Sequence, residues 1–281
     1  MTWQVLDPAR ATRLPWRLVT DANVGHLIRR QRGLARRSQM HLAHEIGISP
    51  RHLSFVELGK SKPSRGLLMK IAQHLDVPLR ERNDWLLAAG YAPRYPETPL
   101  TGPALSRVRA SVQALLDTHD PFPGVAIDPQ WNVQLSNRAA RRLVSGIPQD
   151  VSGRPTNLFR TALHPAGLAG RTLNFPQWSA YLLRRLDRAV VRTQDPRLAE
   201  LADEIATWPD IPERHTWSRL STDESDDPVL SWRLELEGEE LSMFSILSTF
   251  GTPMDVTLSD LSIELFFPAD EQTETILRRH G

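Results

Sequence analysis

The sequence predicts two parts, a mainly α N-terminal domain followed by an α+β domain. Three observations lead to this fold class. Between residues 24 and 90, apolar residues recur at helical spacing, and residues that cap helices precede most of these runs. Residues 93–103 contain four prolines, which cannot continue a helix. After residue 212 the apolar pattern changes to period two, as in half-buried strands.

The composition is that of an ordinary globular protein. At 281 residues the chain can form two domains that each bury a core. Hydrophobic residues make up 40% and charged residues 24%. No stretch is apolar enough to span a membrane, and the N-terminus lacks the apolar segment of a secretory signal. With no cysteine, disulfides and Cys-ligated metals are excluded, and we expect a cytoplasmic protein without a membrane partner.

Charge is distributed unevenly along the chain. Residues 23–72 hold ten Lys or Arg and two Glu, a net +8, whereas the whole chain carries +1. The remainder is therefore acidic, at −7 (1 − 8). A basic part joined to an acidic part indicates that only one of them contacts phosphates.

The first elements follow in chain order. Residues 1–22 have no apolar period and predict a flexible arm, either a frayed tail or a basic arm along a polyanion. Val24–Arg32 is an amphipathic helix that Gly33 ends. Ser38 is placed to cap a second helix, which begins at Gln39.

Residues 39–58, QMHLAHEIGISPRHLSFVEL, match the helix-turn-helix pattern. Ala43 is small enough for two helices to cross closely, and Gly47 suits a turn with positive φ. Apolar residues at 42, 46, 48, 53 and 56 form the seam that sets the angle of the second helix. The alternative is an ordinary αα-hairpin of a helical core. The functional interpretation places the helix from about Ser49 to Leu58 in a DNA major groove.

Within this helix, Arg51 is the best candidate for base recognition, since its guanidinium matches guanine O6 and N7. Phe55 either contacts a thymine methyl group or packs against the next loop. We interpret Glu57 as a structural partner of an arginine. The candidate DNA-binding residues, including those that suit phosphates, are Gln39, Ser49, Arg51, His52, Phe55, Lys60, Lys62 and Arg65.

Two further helices complete the first domain, Arg65–Leu75 after the cap Ser64, and a fifth ended by Gly90. The runs SPRHLSFVE and LDVPLRERN…LLAAGY resemble the XRE (lambda-repressor-like) helix-turn-helix, in the branch that carries an MmyB-like ligand-binding domain. The resemblance implies a five-helix lambda-repressor-like domain over residues 23–91. Residues 92–103 are the Pro-rich linker.

The second domain, residues 104–281, opens with a helix over 105–118. A strand (125–127), a turn at Asp128-Pro129, a second strand (131–135) and a helix capped by Ser136 or Asn137 follow. This order is typical of PAS-like sensor domains. Broken helices extend to Trp208, the runs WSRLS, LSWRLEL, LSMFSILSTFG and LSIELFFPAD are strand-like, and the last eleven residues suit a closing helix.

WNVQLSN, NLFRTALHP and FGTPMDVTLSDLSIELFFPAD resemble the MmyB-like domain itself. That resemblance implies a PAS-like α+β domain with an internal pocket for a fatty-acid or acyl-type ligand. Candidate lining and polar residues are Trp131, Asn132, Asn137, Phe159, Arg160, Leu163, His164, Trp178, Leu182, Phe244, Ile246 and Phe250. The alternative is that these aromatic residues form plain core.

Motifs of enzymes are missing from the sequence. It contains no GxSxG, GxxxxGK[ST], GxGxxG or HExxH, so we expect no catalytic residues. His164 is expected to satisfy a backbone group at a helix end, and no second ligand stands at metal-binding spacing. The acidic run 223–227 lacks the spaced ligands of a Ca²⁺ loop. We expect no metal and no cofactor.

The sequence thus predicts a DNA-binding transcription regulator, a homodimer that recognises half-sites about one helical turn apart. The second domain is expected to sense an apolar small molecule, and the resemblance implies a fatty acid or an acyl compound. The alternative is a C-terminal domain that serves only as a dimerisation scaffold.

Overall fold

The computed structural model describes residues 23–220 and 229–279. Its contacts divide the chain into two compact units. The first contains the described residues up to Glu97 together with Pro253–Ser259, and the second contains Thr98–Thr252 and the chain from Asp260. The division falls inside the predicted linker, and the predicted domain limits stay a prediction. The predicted arm (1–22) and the acidic run 223–227 lie outside the described residues.

The first unit has the five predicted helices. They are α1 (Val24–Leu34), α2 (Gln39–Glu45), α3 (Pro50–Glu57), α4 (Arg65–His74) and α5 (Leu79–Ala88). Ser38, Ser49 and Ser64 cap α2, α3 and α4, because each hydroxyl accepts the backbone N–H of the third residue on. The all-helical class of this part is confirmed.

Close backbone packing fixes α1 against α3. A Cβ on Gly25 would lie 2.3 Å from the carbonyl oxygen of Val56 and 2.6 Å from that of Glu57. Gly47, between α2 and α3, has a φ of 68°, and Ala43 is fully buried. The helix-turn-helix is therefore held both through its turn and through the C-terminal end of α3.

The first unit is discontinuous in sequence. Val256 is 1% exposed and packs with Leu79 and Tyr95, while its N–H donates to the carbonyl of Pro96 at 2.8 Å. The Asn83 side chain accepts the N–H of Tyr95 and donates to its carbonyl, which attaches this stretch to α5. A segment far along the chain thus completes the N-terminal unit.

The second unit contains a five-stranded antiparallel sheet in the order β2-β1-β5-β4-β3. The strands are β1 (Gly124–Ile127), β2 (Val133–Ser136), β3 (Trp232–Leu236), β4 (Glu239–Thr249) and β5 (Ser262–Pro268). Glu237 and Gly238, both at positive φ, join β3 to β4 in a two-residue turn. The α+β class is confirmed, as is the predicted strand-turn-strand-helix opening.

The helices that follow α5 in the chain are α6 (Ser106–Thr118), α7 (Arg138–Leu143), α8 (Gln149–Ser152), α9 (Leu158–Leu163), α10 (Phe175–Thr193), α11 (Pro196–Ile205), α12 (Val256–Asp260) and α13 (Glu271–Arg279). Of these, α12 lies mostly in the first unit. The main core lies between the sheet and α9, α10, α11 and α13. No helix in residues 23–220 and 229–279 has the length and apolarity needed to cross a membrane.

One predicted strand is wrong. The run WSRLS begins inside a 3-10 helix, Arg214–Arg219, instead of a strand. Trp217 in this helix is fully buried, and its indole N–H donates to the carbonyl of Pro212 at 2.7 Å. The spacing of Trp217 and Leu220 had suggested a strand, but Trp217 is buried from a short helix instead.

Candidate nucleic-acid interface and ligand cavity

Helix α3 presents one apolar and one exposed face. Leu53 and Val56 are fully buried against the other helices, as predicted. Arg51 and His52 are exposed, and Phe55 is 36% exposed with the Arg51 guanidinium 5.3 Å from its ring centroid. Arg51 is therefore accessible in this unit, and its contact with DNA stays a prediction.

Glu57 is the structural partner of an arginine, as predicted. Although 3% exposed, it accepts two hydrogen bonds from Arg32, from Nε at 2.7 Å and Nη2 at 2.9 Å. The Glu57 hydrogen bond raises the pKa of Arg32. Glu57 also accepts from Gln39 Nε2 at 2.9 Å, so the amide at the start of α2 is held in one orientation.

The loop after α3 carries the predicted phosphate-binding lysines. Lys60, Lys62 and Arg65 are exposed, as is Ser49 at the tip of α3. Lys62 Nζ lies 5.0 Å from the Tyr91 ring centroid, and the Tyr91 hydroxyl donates to Pro63 at 3.1 Å. These contacts attach the loop to the helical domain.

A cavity lies in the second unit between the sheet and helices α7, α9 and α10. Its volume is about 80 Å³, and it opens in part to solvent. Its walls are mainly aliphatic and aromatic side chains. They include four of the predicted ligand-binding residues, Trp131, Phe159, Trp178 and Leu182.

The four predicted polar handles lie outside the cavity lining and have protein partners. Asn137 is fully buried and makes four hydrogen bonds to backbone groups. Asn132 bonds to Asp128 and Asn157. Arg160 donates to Glu204 from Nε at 2.9 Å, a hydrogen bond that raises the pKa of Arg160. His164 Nδ1 accepts the N–H of Ala166, as expected of a histidine at a helix end.

The remaining predicted lining residues also lie elsewhere. Leu163 is fully buried in the adjoining core. Phe244 stacks on Phe267 with ring centroids 5.7 Å apart, Phe250 is half-buried, and Ile246 is 47% exposed. The β4 residues that enter the core are Leu241 and Met243. They are odd-numbered and therefore point to the opposite face of the strand from Phe244, Ile246 and Phe250.

Trp131 lines the cavity in a strained backbone conformation. Its φ is 60°, which is uncommon for a bulky residue. The Asp128 carboxylate holds the turn by accepting the N–H groups of Gln130 and Asn132, both at 2.9 Å. The Trp131 ring contacts the Phe159 ring edge-on, with the ring centroids 4.6 Å apart. Strain of this kind is a common feature of ligand-binding positions.

Sequence reasoning missed several residues of the cavity. Arg185 and Glu264 line it, as do the apolar residues Val125, Val144, Leu158, Trp232 and Phe266. A signal for Arg185 was present, because it follows Trp178 and Leu182 on the apolar stripe of α10. Glu264 likewise is the one acid in the apolar run LSIELFFP.

Two family models match the chain. The model described as the MmyB-like transcription regulator ligand binding domain matches residues 108–279, more than half of the chain. A helix-turn-helix model matches residues 28–82. A search among curated proteins gave no match.

Proposed function

Since this chain belongs to the MmyB-like transcription regulators and carries a helix-turn-helix, we propose that it binds a specific DNA operator and that an apolar small molecule in its C-terminal cavity controls that binding. As such a regulator it works in the cytoplasm. The observation that carries the proposal is that one chain combines exposed Arg51 on α3, and the exposed Lys60 and Lys62 in the following loop, with an apolar cavity in the second unit.

The DNA half of the proposal rests on the chemistry of α3 and its loop. Arg51 and His52 project from a helix whose opposite side is locked into the core. Arg51 is proposed to recognise a guanine, while Gln39, Ser49, Lys60, Lys62 and Arg65 contact phosphates. Phe55, partly covered by Arg51, is proposed to meet a thymine methyl group.

Replacing Arg51 by alanine is expected to weaken operator binding by about ten- to a hundredfold and to relax the preference at one base pair of each half-site, because a bidentate contact with guanine is lost. Operators selected from a random DNA pool by the full chain provide the probe, and fluorescence anisotropy gives the affinity. Lys60→Ala is the matched control. It should weaken all sequences equally and reduce the salt dependence by about one phosphate contact. Unchanged sequence preference in the Arg51 variant would contradict the assignment.

The sensor half of the proposal rests on the cavity. Small ligands are held in largely apolar pockets with few polar groups, and this cavity has that composition. The family resemblance suggests a fatty acid or acyl compound. A ligand changes DNA affinity only if it binds the two functional states unequally.

Adding dodecanoic acid to the protein–operator complex is therefore expected to change the operator affinity by about five- to a hundredfold, a typical allosteric coupling. Ala162→Phe, which places a ring in the cavity, should abolish the change, whereas the exposed Ala110→Phe on α6 should not. Anisotropy titrations with and without the acid measure the effect. Native mass spectrometry of the purified protein shows whether a ligand is carried from the cell. If dodecanoic acid leaves the operator affinity unchanged and native mass spectrometry shows no bound ligand, the result would support a dimerisation scaffold instead.

A homodimer is part of the proposal. Strand β4 extends to Thr249, whereas its partner β3 pairs only as far as Met243. Beyond that residue, Ile246 and Leu247 are 47% and 48% exposed. An apolar strand edge of this kind favours pairing with a second copy.

A further inference from the structure

We propose that residues Pro253–Ser259 transmit the state of the C-terminal cavity to the helix-turn-helix unit, and that occupation of the cavity releases them from α5. We call these residues the returning segment, because the chain leaves the first unit after Glu97 and comes back to it here. This inference rests on the proposed sensor function. It adds to that function the element that joins ligand binding to DNA binding.

The returning segment is attached to the first unit by a small contact. Val256 is 1% exposed and packs on Leu79 of α5 and on Tyr95. Its N–H donates to the carbonyl oxygen of Pro96 at 2.8 Å. A contact of this size can open and close while the rest of the unit stays folded, so the segment has a docked and a released state.

The returning segment also has an internal structure of its own. The Asp255 carboxylate accepts the N–H of Thr257 at 2.8 Å, and the Asp255 carbonyl accepts the N–H of Ser259 at 3.0 Å. These hydrogen bonds are local and do not involve α5. The segment can therefore keep its shape when it is released and move as one piece.

The docked segment reaches the helix-turn-helix core through one shared side chain. Met69 on α4 packs against the cluster formed by Leu79, Tyr95 and Val256, and it also packs against the core of the five helices. Release of Val256 therefore removes packing from α4 and α5 together. Networks of packed side chains of this kind carry energetic coupling between sites.

At its other end the returning segment is continuous with the cavity wall. It connects β4 to β5, which pair from Thr249 with Ser262 onward. Glu264 and Phe266 on β5 line the cavity, and Glu264 follows Ser259 by only five residues. A displacement of β5 at the cavity thus acts on the segment through a short stretch of chain.

The size of the cavity gives the direction of the change. Its volume is about 80 Å³, and a water molecule needs about 10–15 Å³ of such space, so there is room for only a few waters. A long apolar molecule can enter only if the walls, β5 among them, move apart. Because packed interiors do not deform continuously, we expect this shift to pull the returning segment from its docked position.

Hydrogen exchange of the full-length protein, with and without dodecanoic acid, tests the release directly. We expect peptides within residues 253–259 to exchange at least fivefold faster with the acid, because the Val256 N–H loses its acceptor. A bound ligand ordinarily slows exchange by stabilising the folded state. Faster exchange in this segment is therefore a specific sign of release.

Replacing Val256 by alanine removes two buried methyl groups and should shift the segment toward release by about tenfold. Without acid, the operator affinity of this variant should move in the direction in which the acid moves that of the wild type. Since linkage is reciprocal, the variant should also bind dodecanoic acid more tightly in isothermal titration calorimetry, by up to about tenfold. A merely structural role of Val256 would not raise the affinity for the acid.

Met254→Ala is the matched control, because Met254 lies in the same segment and is 66% exposed. It should leave the operator affinity, the response to the acid and the affinity for the acid within about twofold of the wild type.

Two results would overturn the role of the returning segment and leave the sensor function intact. One is an unchanged exchange rate in 253–259 when the acid alters the operator affinity of the wild type. The other is a Val256→Ala protein with wild-type affinities for operator and acid. A wild-type operator affinity that does not respond to the acid would overturn the proposed sensor function together with this inference.

Discussion

Replacing Glu57 by alanine is expected to destabilise the N-terminal unit by about 2–4 kcal/mol, because hydrogen bonds between charged groups are lost at a largely buried site. The substitution leaves the Arg32 guanidinium without the carboxylate that accepts two of its hydrogen bonds. It also releases Gln39 Nε2, so the start of α2 loses its orientation. We therefore expect operator binding to fail together with folding of this unit.

Urea unfolding followed by circular dichroism, with hydrogen exchange of the α1–α3 amides, measures the effect in the full chain. The local readout is needed because a chain of two units does not unfold in one two-state step. Glu45→Ala is the matched control, since its contacts to Arg37 and His41, at 3.5 and 3.2 Å, are more exposed. It should cost no more than about 1 kcal/mol. Equal losses of unfolding free energy in the Glu57→Ala and Glu45→Ala variants would show that the burial of Glu57 adds no stability.

Replacing Asn137 by alanine is expected to destabilise the C-terminal unit by about 2–4 kcal/mol, because several buried backbone groups lose a partner at once. Its Oδ1 accepts the N–H groups of Gly124 and Ala140, and its Nδ2 donates to the carbonyls of Leu116 and Phe122. One amide thus joins α6, β1 and the start of α7.

This prediction also separates two interpretations of Asn137. A structural amide affects stability and leaves the binding of dodecanoic acid unchanged, whereas a ligand handle does the reverse. Urea unfolding, together with isothermal titration calorimetry of dodecanoic acid binding, decides between them. Gln134→Ala, an exposed amide on β2, is the control and should stay within about 0.5 kcal/mol. A stable Asn137→Ala protein that no longer binds dodecanoic acid would restore the sequence-based assignment.

The helix-turn-helix could be predicted almost residue by residue because its signals are local. Ser38, Ser49 and Gly47 each act within a few residues of their own position, as caps or as a turn. With these caps and this turn in place, Leu42, Ile46, Leu53 and Val56 can all face the core in only one arrangement of the two helices. The interpretation of Glu57 as the structural partner of an arginine did not identify that arginine, because Arg32 lies 25 positions away in the sequence.

The cavity was predicted less completely because its walls depend on distant pairings. Arg185 and Glu264 are 79 positions apart, and no local pattern brings them together. The alternation of side chains along β4 was visible in the sequence. Alternation alone does not show whether the odd- or the even-numbered residues face the core. Selecting Phe244, Ile246 and Phe250 chose the face opposite to Leu241 and Met243.

Completion of the first unit by Pro253–Ser259 affects how this protein can be divided for experiments. A fragment that stops at Glu97 would lack Val256, and the apolar surfaces of Leu79 and Tyr95 would face water. A recombinant N-terminal half is thus a poor substitute for the intact regulator in solubility trials or footprinting. Gene fusions that exchange sensor domains between relatives meet the same difficulty. They would need to keep Pro253–Ser259 together with the N-terminal unit that it completes.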